Sequence, residues 1–276
     1  MSTELPRTLL FCAAGARMAT LSWLPGMTQQ PGFEIGIAHY GAELAPAPAG
    51  VHYYVQNRDF KVPNFLQLLR EHPQALDCDF FLFIDDDIVA SPEDLVCWLG
   101  HMRDMGLDIS QPSVTRDSKA DWPHLHHQPG LVPVDRDQFV EIQCFALTRR
   151  ALQLALPYFF MVKTGAGLDL ALYRLARRHG LRSGVVHAVQ VLHPHRPEGE
   201  TVRQQFSRFG DFNAQMDRFM TFCFGNEVAF DDLETASRVL GDTRPRTVRW
   251  VSVLRFWATR ITRVLGRKYR TARHEG

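Results

Sequence analysis

The chain has 276 residues, 45% of them hydrophobic and 22% charged, and its formal net charge is +1. This is ordinary globular composition with enough apolar residues for a full core, and it excludes a repeat or low-complexity protein. No run approaches eighteen uncharged apolar residues, which excludes an expected membrane span, and the apolar stretch Thr8 to Ala14 is too short for a secretory core.

Five cysteines, Cys12, Cys78, Cys97, Cys144 and Cys223, are odd in number and widely spaced, with no CxxC pair. They read as reduced core thiols of a cytoplasmic protein. The charge is unevenly spread. Residues 244–276 hold ten Lys or Arg and one acid, a net +9, which leaves −8 on residues 1–243. The expected layout is therefore a large domain over 1–230 and a chemically distinct extension over 231–276.

In chain order, Thr8 to Cys12 reads as a first strand ending at Ala13-Ala14-Gly15-Ala16, Phe33 to Tyr40 as a second, and Val51 to Val55 as a third. Phe65 to Glu71 is predicted helical. The apolar run Phe80-Phe81-Leu82-Phe83-Ile84 then leads directly into Asp85-Asp86-Asp87. Three adjacent carboxylates at the end of an interior strand repel one another unless solvent, donors or a cation neutralise them. Alternate residues point the same way, so Asp85 and Asp87 are placed to share a divalent metal while Asp86 faces elsewhere. The plain alternative is a solvated acidic turn.

Ser91-Pro92-Glu93-Asp94 supplies an N-cap, an early proline and two acids for the positive end of a helix over Pro92 to Met105. Gly106 ends that helix, and Leu107 to Val114 reads as the next strand. Between Pro112 and Pro133 the pattern dissolves into a long loop carrying His124, His126 and His127, without the spacing or partners of a zinc site. Phe139 to Phe145 alternates as a strand and carries Glu141. A helix is expected from near Thr148, another from Leu168 to His179 with a stop at Gly180, and a last strand over Gly184 to Leu192 that delivers His193.

A strand ending in Asp-x-Asp, a later Gly-x-Gly-x-Asp at a helix start and a final strand ending in His, in this order, resemble a GT-A glycosyltransferase. More narrowly, residues 51–193 resemble the domain of unknown function 707 family. The matching blocks are Phe80 to Ile88, Gly106 to Pro112, Phe139 to Ile142, Gly165 to Leu172 and Gly184 to Ala188, with Ala166 where the family usually has an aromatic residue. The resemblance implies an α/β fold of GT-A type, with a Rossmann-like, mostly parallel sheet flanked by helices. It also implies Mn or Mg held by Asp85, Asp87 and His193 against the diphosphate of a nucleotide-sugar donor. Asp169 would be the general base of an inverting reaction, and Glu141 would orient hydroxyls or take the base role. Ala14, Gly15, Arg58, Lys61, Asp86 and Gly167 would line the donor. The nucleotide, whether UDP, GDP or CMP, stays open, and the acceptor is expected to be a glycan or a lipid-linked glycan.

In the extension, Trp250, Leu254, Trp257, Ile261, Val264 and Leu265 recur at helical spacing among arginines. They make a basic amphipathic helix suited to an anionic membrane surface on the cytoplasmic face, or to packing on the main domain. Nucleic acid is not an expected partner of so acidic a body. Rival functions are a metal-dependent nucleotidyltransferase or phosphohydrolase using the same acids, or a degenerate GT-A domain that binds membrane through its tail.

Overall fold

The structure, a computed structural model, describes residues 6–120, 122–129, 134–136, 138–195 and 219. The expected C-terminal amphipathic helix lies outside these described residues. Eight strands, β1 (Thr8–Ala14), β2 (Phe33–His39), β3 (Tyr53–Gln56), β4 (Phe80–Asp85), β5 (Ile109–Val114), β6 (Val134–Arg136), β7 (Cys144–Thr148) and β8 (Ser183–Val191), form one sheet in the order β3-β2-β1-β4-β7-β5-β8-β6. The pairings from β3 through to β4 and between β5 and β8 are parallel, and β7 and β6 run against their neighbours. The expected mostly parallel α/β architecture is what the chain adopts.

Position in the sheet follows from apolarity. All seven residues of β1 are buried, as a strand covered on both faces requires. It lies between β2 and β4, with Ala13 beside Asp85 in the register. From β1 the chain builds outward to β2 and β3, then returns to lay β4 on the other side. This reversal of strand order opens a crevice at the carboxyl ends of β1 and β4, the usual ligand position in open α/β sheets.

Among the described residues five α-helices are named: α1 (Leu24–Met27), α2 (Lys61–Glu71), α3 (Pro92–Asp104), α4 (Arg149–Met161) and α5 (Leu168–His179). Alternation along β1 and β4 feeds two cores. Leu10, Cys12, Leu82 and Ile84 pack with Trp98 and Met102 of α3 on one face. On the other, Phe83 meets Phe65 of α2 at 4.7 Å, Phe145 of β7 at 4.5 Å and Phe159 of α4 at 6.0 Å between ring centroids. The α3 start is a full capping box, Ser91 accepting from the Asp94 amide and Asp94 from the Ser91 amide.

Three expectations need correction. Helix α2 begins at Lys61, four residues before the expected Phe65. Its polar first turn is held by Asn64, whose Nδ2 donates to the Asp59 carbonyl at 2.7 Å and whose Oδ1 accepts from Asn57 Nδ2 at 2.9 Å. Glu141 does not lie on a strand, because β7 begins only at Cys144. The 141–143 backbone serves other partners: the Glu141 amide donates to Gln111 Oε1, the Ile142 carbonyl accepts from Lys61 Nζ, and the Gln143 carbonyl accepts from the Asp85 amide. Directly after the expected long loop, where no strand was expected, Val134–Arg136 pairs with β8 as β6. The loop histidines bond the backbone, His124 at the Phe139 carbonyl and His126 at that of Thr115.

Candidate functional site at the carboxyl ends of the strands

The alternation of β4 continues into its acids. Asp85 follows Phe81 and Phe83 toward α2, and its Oδ1 accepts from Lys61 Nζ at 2.5 Å. Lys61 is the first residue of α2; it also donates to the Ile142 carbonyl and lies 5.8 Å from the centroid of the Phe145 ring. Asp86 follows Leu82 and Ile84 to the other side. Its Oδ2 accepts from the Gly15 amide at 3.1 Å and from the Tyr40 hydroxyl at 2.6 Å. The end of β1 therefore meets the middle acid directly. A Cβ on Gly15 would stand 2.5 Å from the Tyr40 ring, so glycine is what lets the phenol reach Asp86.

After Asp87 the chain turns and pairs with the end of β8. The Val89 amide donates to the Leu192 carbonyl at 2.8 Å, and the Leu192 amide to that of Val89 at 3.0 Å. This bridge brings His193 to Asp87, with Nε2 3.3 Å from Oδ2. His193 is fixed from behind: its amide donates to Ser118 Oγ at 3.0 Å and its Nδ1 meets the Lys119 carbonyl at 2.7 Å. Since a carbonyl only accepts, Nδ1 carries a proton; Nε2 donates to Asp87 when the ring is protonated and is the nitrogen left to offer a lone pair to a cation when the ring is neutral.

Charge in this crevice is strained. Burial raises the Asp85 carboxyl, and although Lys61 opposes this, the charges of Asp87 and Asp86 leave it above the ordinary carboxylate value. For His193, burial lowers the imidazolium pKa, but the hydrogen bond and charge of Asp87, the Lys119 carbonyl and Asp85 outweigh it, and the net direction is upward. The Asp85 shift reflects burial first and the neighbouring acids second, and the His193 shift reflects mainly Asp87; a bound cation would oppose the rise in both.

Among the described residues, no three His, Cys, Asp or Glu side chains form a closed metal cage. The donor set nevertheless fits a hard divalent ion that takes part of its shell from substrate phosphates and water, the usual arrangement for Mg. Two donors bound side by side on an octahedral ion at about 2.1 Å lie about 3 Å apart, close to the 3.3 Å between Asp87 and His193. The third acid, Asp85, is held by Lys61.

The remaining sequence-derived residues lie on several different elements. Gly165 and Gly167 have φ of +79° and +83°, a left-handed backbone that glycine adopts without penalty. A Cβ on Gly165 would stand 2.9 Å from Ile142 Cδ1 and 3.8 Å from Val62 Cγ2. The turn into α5 thus packs on the segments that hold Lys61. Asp169 sits half-buried in the first turn of α5, with Oδ1 accepting from the Leu170 amide at 2.9 Å. Glu141 is buried in the loop before β7, and Ala14 ends β1. Arg58 is exposed on the β3–α2 connection and joins none of the ion pairs among the described residues. Tyr40, Gln111, Ser118 and Lys119 were not singled out in the sequence. Each acts through a contact to a residue distant in the chain, and no local pattern marks it.

No family model matches the chain, and no curated protein matches it. Its fold is similar to that in a crystal structure of GalNAc-T7 with UDP, GalNAc and Mn2+, with a TM-score of 0.61 at 11% sequence identity. The match covers 88% of this chain and 52% of that one, so the chain spans about half the length of that protein. The fold is of GT-A glycosyltransferase type. The narrower resemblance to the domain of unknown function 707 family has no matching family model behind it.

Proposed function

We propose that the chain is a metal-dependent, inverting glycosyltransferase that moves a sugar from a nucleotide-sugar donor to a glycan or lipid-linked glycan. The observation that carries this reading is the Asp87–His193 pair, 3.3 Å apart, beside Asp85 and Asp86 at the strand-order reversal of a GT-A type sheet. Asp87 and His193 would hold Mn or Mg, with Asp85 joining when Lys61 is drawn away. When bound, the ion would stabilise negative charge on the departing nucleoside diphosphate.

The protein's own groups do the rest. Lys61, with its ammonium already in the crevice, brings positive charge to the phosphates. Asp86, Gly15 and Ala14 line the nucleoside side, with Gly167 at the turn into α5 and Arg58 at the rim. Asp169 takes the proton from the acceptor hydroxyl as that oxygen attacks the anomeric carbon. Glu141 orients sugar hydroxyls from the buried loop. The basic amphipathic tail would hold the enzyme at an anionic membrane surface, where a lipid-linked acceptor lies.

The test is nucleotide release from UDP-, GDP- and CMP-sugars with Mn2+ and a mixed acceptor panel. One donor class is expected to turn over, with EDTA abolishing the signal and Asp87→Ala lowering it at least 100-fold. Asp169→Asn should lower turnover about 100-fold or more, the typical weight of a general base, with an unchanged melting temperature. Turnover that persists in EDTA, or in Asp87→Ala, would contradict the reading.

A further inference from the structure

At the opposite end of the sheet a cleft of about 550 Å³ opens between the ends of α3 and α5 and the start of α4. It lies where β4, β5 and β8 begin, whereas the acids lie where β4 and β8 end. The six residues of β4 separate the two, roughly 20 Å at strand rise. The two sites are physically distinct.

Arg103, Arg150 and Arg182 line this cleft, and Asp108 is the one carboxylate among its lining residues. Asp108 is already committed to the fold: Oδ1 accepts from Thr148 Oγ1 at 3.2 Å and Oδ2 from the Arg182 amide at 3.0 Å. Among the described residues none of the three guanidiniums forms an ion pair with a carboxylate. Three guanidiniums against one carboxylate leave the cleft at +2, in a body that carries −8 over residues 1–243.

Two of the arginines are held in place. Arg150 donates to the His179 carbonyl at 3.2 Å. The Arg182 guanidinium lies over Gly106, where a Cβ would stand 1.9 Å from its terminal nitrogen. These contacts set Arg150 on the last carbonyl of α5 and Arg182 beside the turn that follows α3, which explains part of their placement. They do not explain Arg103, whose side chain makes no hydrogen bond among the described residues, nor the convergence of all three on one cavity. A second feature points the same way: the thirteen-residue α4 starts in the cleft wall, with Thr148 as N-cap and Arg150 in its first turn. The Arg149 and Ala151 amides at this end already donate to the Asp79 carbonyl and to Thr148 Oγ1, so what it adds for an anion is the field of the helix end.

From this geometry we infer that the cleft is a second binding site, for a phosphate-bearing anion. A charge of +2 is matched by a dianionic phosphate monoester or a diphosphate rather than by a single carboxylate. Guanidinium forks also fit phosphate oxygens in pairs. The volume lies in the range of small-molecule sites, leaving room for an organic portion beyond the phosphate. That phosphate comes either from a soluble compound or from a lipid headgroup.

The test titrates pyrophosphate calorimetrically into the full chain at low ionic strength in EDTA, so that no divalent ion can recruit it to the carboxylate site. Wild type and Asp87→Ala should bind alike. The double variant Arg103→Gln/Arg182→Gln should bind at least tenfold more weakly, and so should Arg103→Glu alone, which breaks no internal hydrogen bond. Sedimentation with phosphatidic acid or phosphatidylcholine vesicles separates the sources. If wild type exceeds the double variant only on phosphatidic acid, the ligand is a headgroup; pyrophosphate binding without that difference makes it a soluble phosphate. Equal pyrophosphate binding in the arginine variants, its loss in Asp87→Ala, or no arginine-dependent binding to either probe overturns the inference.

Discussion

Asp86 shows how much a single backbone position can decide. Its carboxylate is buried, and its Oδ2 is satisfied by the Gly15 amide and the Tyr40 hydroxyl. Gly15→Ala forces a methyl group to within 2.5 Å of the Tyr40 ring, and the ring must leave or the backbone must shift. We expect a loss of about 1–3 kcal/mol, the usual cost of overpacking, in urea denaturation. An unchanged midpoint would mean that Tyr40 does not hold Asp86 in solution. Lys61 supports a second prediction. Removing its ammonium in Lys61→Met frees Asp85 beside Asp87 and removes a positive charge from the crevice, so Mn2+ affinity measured by calorimetry should rise. Weaker binding would mean instead that Lys61 is needed to hold Asp85 in position. The acidic triplet itself was legible, because charge at the end of an apolar strand is conspicuous. Tyr40 was not, because nothing local to it indicates a contact 46 residues away.

At the level of elements, legibility followed the punctuation of the chain. Helix α5 was expected over Leu168 to His179 and spans Leu168–His179, between a left-handed Gly167 and a left-handed Gly180. Helix α3 was equally plain from Ser91-Pro92-Glu93-Asp94, and its capping box is complete. Ser91→Ala should therefore lower stability by about 1 kcal/mol, the typical worth of an N-cap; a melting curve that does not move would show that the cap is redundant. The segment from Phe139 misled because it alternates like a strand. Its backbone partners are the Lys61 ammonium, the Gln111 side chain and the Asp85 amide, all supplied by other elements. Alternation records which residues face inward but not where the hydrogen bonds go. The consequence is that Glu141 lies in the loop whose next two carbonyls meet Lys61 and the Asp85 amide rather than out along a strand.

Over the whole domain, chemistry is divided between the two ends of one sheet. The carboxyl ends of the parallel strands gather Asp85, Asp86, Asp87 and His193, and the opposite end gathers three arginines. Between them Cys12, Cys78 and Cys144 are buried thiols, while Cys97 on α3 is exposed. Burial pushes Cys78 up to about 12, so among these four Cys97 should be the one alkylated by iodoacetamide under native conditions. Peptide mapping that finds Cys12 or Cys144 modified first would contradict the packing. The domain as α/β was readable from composition and alternating segments, but the sheet order was not, because strand adjacency is set by long-range pairing. That order is what places β1 beside β4 and brings Gly15 to Asp86.

The proposed metal-assisted donor site is most directly probed by the melting temperature of the full chain with UDP, GDP and CMP, with and without Mn2+, for wild type and Asp87→Ala. One nucleotide should raise the wild-type melting temperature only when Mn2+ is present, and Asp87→Ala should abolish the shift. A shift that survives without metal, or in Asp87→Ala, would place nucleotide binding elsewhere and contradict the assignment of Asp87 and His193.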